Sequence, residues 1–171
     1  MREISGTGAP SLLIESGSVL TRALYVRDRF VLPSALPVPP LNPPVAPEVT
    51  SEVPPDAWDQ WWCTLLERDT SLAMVPPADA RLAALADVVY EDAHRWEAEH
   101  VTFDPLYDAR WVSTWLIEHR LTVPVEVLLV GVGGLWHLQV GPARYLMSVE
   151  LYRAHDRTDT LLRQALEAAQ A

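Results

Sequence analysis

Residues 125–152 read VEVLLVGVGGLWHLQVGPARYLMSVELY, and the architecture of the chain turns on how these apolar runs pair. VEVLLVGV (125–132) is a near-continuous apolar run, the pattern of a strand covered on both faces. Gly133-Gly134 supplies the positive φ angles of a tight hairpin turn. LWHLQV then alternates, with Trp136, Leu138 and Val140 on one face and His137 and Gln139 on the other. Gly141-Pro142 marks a second turn, after which Tyr145, Met147, Val149 and Leu151 share a face. The expectation is a three-stranded antiparallel meander.

Helical spacing lies on both sides of it. Downstream, Leu161, Leu162, Ala165, Leu166 and Ala169 predict a last helix from about 158 to 170. Upstream, Asp56 is placed to cap AWDQWWCTLLERD, where Trp58, Trp61, Trp62 and Leu65 recur at i, i+3, i+4 and i+7. Asp79 can cap a second helix to about His100, with a stripe of Leu82, Leu85, Val89, Ala93 and Trp96. Asp104-Pro105 signals the start of a third, LYDARWVSTWLIEHR, apolar on most sides. The fold class expected is α+β: three helices, the meander, then a C-terminal helix.

Residues 1–55 differ in kind and read as an extended N-terminal arm preceding a single α+β domain over 56–171. SLLIE and VLTRALYVRDRFVL are rich in β-branched, aromatic and leucine residues, so a β-hairpin over 11–32 is one reading. Residues 33–55 hold nine of the fifteen prolines, which impose extended geometry and remove amide donors. Leu36, Val38, Leu41, Val45, Val49 and Val53 recur through this tract, so it reads as a strap lying on a surface. A polar spacer would lack them.

The composition narrows the function classes. Apolar residues make up 49% and charged residues 21%, as in a folded globular protein. No apolar run is long enough to span a membrane, and the start lacks the basic flank and long apolar stretch of a signal peptide. The expected compartment is the cytoplasm. Between Glu48 and Asp108 fourteen acidic residues face Arg68, Arg81 and Arg95, a balance of −11, against a net charge of −10 for the whole chain. Such a surface disfavours direct binding to nucleic acid. The single cysteine, Cys63, sits among tryptophans and reads as a small buried hydrophobe.

Motifs for chemistry are few. GVGGLWH leads into a strand, whereas a phosphate loop leads into a helix. Glu91-x-x-His94 and Glu97-x-x-His100 repeat a spacing used by helical metal sites, but on one helix they diverge, at about 100° per residue. The bland reading is a solvated acidic face, with no metal and no cofactor. No serine or cysteine is paired with a base; a small enzyme using His94, His119 or His137 is the weakest reading.

The reading favoured is a non-enzymatic interaction or assembly component, a structural subunit or adaptor. Its arm and acidic helical face would bind a protein partner, basic or a copy of itself, with no membrane involved. Candidate contacts are Val38, Leu41 and Val45 on the strap, Trp58, Trp61 and Trp62 on the first helix, and Asp87, Glu91 and Asp92 on the second. The alternative is a small acidic inhibitor of the immunity type that neutralises a basic partner.

Overall fold

The computed structural model describes residues 2–4, 12–50, 53–67, 75–103, 110–119, 125–141 and 143–168. The strands are β1 (Arg2–Ile4), β2 (Leu12–Ser16), β3 (Val125–Val130), β4 (His137–Gly141) and β5 (Arg144–Ser148). The helices are α1 (Ser18–Arg29), α2 (Ala57–Glu67), α3 (Ala80–Val88), α4 (Tyr90–His100), α5 (Arg110–Glu118), α6 (Val149–Arg153) and α7 (His155–Ala168). None of the described helices is long and apolar enough to cross a membrane. The α+β class holds, but the order of elements departs from the expected one.

Two compact units form. The first takes Met1–Gly17, Thr102–Val130 and Gly134–Ala171; the second takes Ser18–Val101 and Gly131–Gly133. The second is thus an interruption of the first in the chain, and the N-terminal 55 residues contribute to both.

The first unit is built on one sheet in the order β1-β2-β3-β5-β4. β3 pairs parallel with β2 (Ile14 opposite Val127) and with β5 (Leu128 opposite Leu146), while β1 and β4 pair antiparallel at the edges. This replaces the antiparallel meander. The physical reason is burial. Five of the six residues of β3 are buried, as are Tyr145 to Ser148 of β5, so each strand needs a neighbour on both sides. β4, with His137 and Gln139 exposed, suits an edge. Gly133-Gly134 therefore starts a connection to the far side of β5, and only Gly134 has a positive φ, at 79°.

β5 also ends earlier than its alternation suggests. Ser148 is extended and its hydroxyl accepts from the Leu151 amide, capping α6. Helix α7 begins at His155 and inserts Leu162 and Leu166, both fully buried, while Trp111 of α5 donates from Nε1 to Asp159 at 2.9 Å. The Asp104-Pro105 start signal lies outside the described residues.

The second unit opens with the largest correction. Residues 18–29, expected as a strand of a hairpin, form α1. Leu20, Ala23, Leu24 and Arg27 are buried at i, i+3, i+4 and i+7, and Thr21, Tyr25 and Val26 are buried too. A helix buried on most sides loses its visible period, and β-branched and aromatic content is then a poor guide. Gly17 permits the entry: its amide donates to the Leu129 carbonyl at 2.7 Å, and a Cβ there would meet that oxygen at 3.0 Å.

Residues 32–50, expected as an extended strap, form no helix and no strand of the sheet, and they belong to the second unit. Arg27, which is buried, donates to the carbonyls of Val38 at 2.9 Å and Pro39 at 2.7 Å. Asp28 accepts from the Leu41 amide at 2.6 Å, and Asp59 of α2 accepts from Ser34 and from the Ala35 amide. Leu41 bridges Val132, with Asn42 donating to Gly131 and Gly133 to Pro40. A Cβ at Gly131 would sit 2.4 Å from the Trp96 ring, so only glycine fits there.

Asp79 caps α3 as expected, accepting from the amides of Arg81 and Leu82. The helix expected from Asp79 to His100 is broken at Val89, whose ψ of 9° separates α3 from α4. Of the expected stripe, Leu82, Val89, Ala93 and Trp96 are nonetheless buried, while Leu85 is half-buried.

Candidate functional site

The nine residues expected to meet a partner fall into two groups. Trp58, Trp61 and Trp62 are all buried in the second unit. The rings of Trp58 and Trp62 stack at 5.2 Å, Trp58 Nε1 donates to Ala23 O at 2.7 Å, and Trp61 Nε1 donates to Val75 O at 2.7 Å. The N–H groups of Trp58 and Trp61 are spent inside the unit. Leu41 is buried, and Val38 and Val45 are half-buried on the strap. Cys63, expected to be buried, is exposed, because α2 turns its other faces inward.

Asp87, Glu91 and Asp92 are exposed, as the helical spacing implies. They lie within six consecutive residues where α3 passes into α4. The same six include Val88, 80% exposed, and Tyr90, 38% exposed. Asp92 pairs with Arg95 three residues on at 3.2 Å; Asp87 and Glu91 are not in any ion pair among the described residues. Val88 was legible as a candidate, since it sits about 100° off the buried stripe through Val89.

Behind this face is a polar cluster that sequence reasoning missed. Glu97, buried on α4, accepts a short hydrogen bond from the Ser18 hydroxyl and lies 3.5 Å from Arg22 Nε. Arg22 also donates to Tyr90 Oη at 3.1 Å, sits over the Tyr90 ring and contacts His94 Nδ1 at 3.0 Å. The arrangement orients Tyr90 and ties α1 to α4. Nearby, burial pushes the Tyr25 phenol above its ordinary pKa, and the Asp92 charge adds to the effect against Arg29 and Arg95.

Three of the histidines are engaged locally. His94 is held by Arg22, while His100 and His119 stack on Trp96 and Trp115 four residues earlier and bond to their carbonyls. No group of three or more His, Cys, Asp or Glu placed to hold a metal is found among the described residues. Comparison with family models, curated proteins and solved structures finds no significant match.

Proposed function

We propose that this protein is a non-enzymatic interaction module whose partner docks on the α3–α4 turn through Asp87, Glu91 and Asp92. The observation that carries the reading is Val88: an apolar side chain 80% exposed within a run of carboxylates. The acids draw in a basic partner by long-range attraction, and the valine with Tyr90 gives the apolar contact that holds it. An adaptor and an inhibitor that neutralises a basic partner would both use this face. Which of the two applies depends on whether the partner's own activity is lost on binding.

The strap does not enter the proposal. Its hydrogen bonds to Arg27, Asp28 and Asp59 dock residues 34–41 on their own unit, which takes away the reason for assigning them to a neighbouring chain.

The test is capture of partners from the native host by the full chain and by the variant Asp87→Lys, Glu91→Lys, Asp92→Lys. The exposed positions leave folding intact, as circular dichroism would verify. The captured partner should bind the wild type with an association rate that falls as salt rises, and bind the variant at least about tenfold more slowly, within the range steering supplies. Equal capture by both proteins, with no salt dependence, removes the face from the account.

A further inference from the structure

The first unit carries an open groove of about 250 Å³ whose chemistry is opposite in sign to the rest of the chain. Four of its lining residues, Arg157, Thr160, Leu161 and Gln164, come from α7 at i, i+3, i+4 and i+7, one face of the helix. Across from them are His137 on the edge strand β4 and, preceding it, Leu135. Leu151 of α6, almost wholly buried, makes the floor. In a chain of net charge −10, no carboxylate lines this groove. Asp156, next to Arg157, is exposed and outside it.

Arg157 is set apart from other arginines. Arg22, Arg29, Arg95 and Arg144 each pair with a carboxylate, and Arg27 holds two strap carbonyls. The Arg157 guanidinium makes no hydrogen bond or ion pair with any described residue. The side chains of His137 and Gln164 are likewise without a described partner. The Thr160 hydroxyl is occupied by the Asp156 carbonyl at 2.8 Å, so the donors facing the groove are those of Arg157, Gln164 and the imidazole.

We infer that this groove binds a single carboxylate carried on a short apolar tail, with Arg157 as its anchor. The guanidinium presents a planar fork that matches two carboxylate oxygens, and Gln164 adds a neutral donor. One permanent cation balances one negative charge, which favours a carboxylate over a doubly charged phosphate. Arg157 lies in the first turn of α7, where the helix dipole adds to the attraction. Leu135, Leu151 and Leu161 receive the tail, and the volume falls below the roughly 300–1,000 Å³ of sites for drug-sized ligands, so the tail is short. Such a carboxylate belongs to a small fatty acid or to the C-terminus of a peptide ending in an aliphatic residue.

The test is an NMR titration of the ¹⁵N-labelled full chain with octanoate, and separately with N-acetyl-Ala-Val-Leu as free acid, each against its amide. Saturable shifts are expected at residues 135–137 and 157–164 for at least one acid, and weaker ones for the matching amide. Arg157→Gln should weaken binding about tenfold or more, the loss of one charge-assisted contact. The residue is exposed, so the fold should survive the change, as the spectrum itself reports. Binding of octanoate alone identifies a small acid, and of the peptide acid alone a chain terminus; either upholds the groove. Acids that bind no better than their amides, or that bind Arg157→Gln as tightly as wild type, overturn it.

Discussion

The proline strap and the central strands of the sheet satisfy their backbone polar groups in different ways. β2, β3 and β5 exchange amides and carbonyls with each other along parallel ladders. Any apolar side chain of the right size leaves those bonds in place. The strap does this only around Leu41, because its prolines donate nothing. Its carbonyls at Val38, Pro39 and Ala46 are taken by Arg27 and Arg29, and its amides at Ala35 and Leu41 by Asp59 and Asp28. The sheet is held by continuous backbone ladders, the strap by individual side chains together with a few backbone bonds at Pro40, Asn42 and Glu48. One polar substitution should therefore do far more harm beneath the strap than on the sheet.

The largest effect should come from Trp58, the buried ring over which Arg27 lies at 5.1 Å. Trp58→Ala removes the stack on Trp62 and the bond to Ala23 as well, and should cost about 3–5 kcal/mol in denaturant unfolding, the usual range for such a deletion. A loss below about 1 kcal/mol would mean that the ring is not part of a packed core.

Arg27 gives the direct comparison. Arg27→Met keeps the stem but leaves the Val38 and Pro39 carbonyls without their donors, and should cost about 3 kcal/mol. Limited proteolysis should then cut within residues 33–50. The matching change on the sheet is Glu126→Gln, at a partly exposed ion pair with Arg144 of 2.7 Å. It should cost less than about 1 kcal/mol. Equal losses at the two sites would erase the contrast.

The smallest change should be favourable. Val31, just past α1, is held at φ 52° while Leu32 donates back to the Arg27 carbonyl. A β-branched residue is strained in this left-handed position, where glycine is at ease. Val31→Gly should raise stability by about 1 kcal/mol and leave the strap seated. A loss of stability there would show that the side chain, though 55% exposed, contributes packing that outweighs the strain.

Much of this was legible residue by residue. The prolines announced the strap, Asp79 announced the start of α3, and the spacing around Val89 separated the buried stripe from the exposed acids. These are signals of short range, in which a residue's neighbours within one turn decide its geometry. The Trp58, Trp61 and Trp62 cluster was legible as a helix, but not as wholly interior. Adjacent residues on a helix diverge by about 100°, and burying both requires cover on different sides, with Ala23 of α1 against Trp58 and the Val75 carbonyl against Trp61. The groove was visible only in part: His137 stood out on its strand, while Arg157 had no sign of what lay opposite.

Chain chemistry alone determined the helices that carry a clear period of about 3.6 residues, and it determined where the negative charge lies, although the alternation through Leu151 carried β5 too far, into α6. It failed at residues 18–29, because burial on most sides removes the periodicity that marks a helix. Only the tertiary structure decided that β5 sits between β3 and β4, that the strap rests on Arg27, and that Arg157 faces leucines across a groove. Those facts depend on pairings between residues far apart in sequence. A strand's own pattern records how much of it is buried, and nothing in that pattern records which partner does the burying.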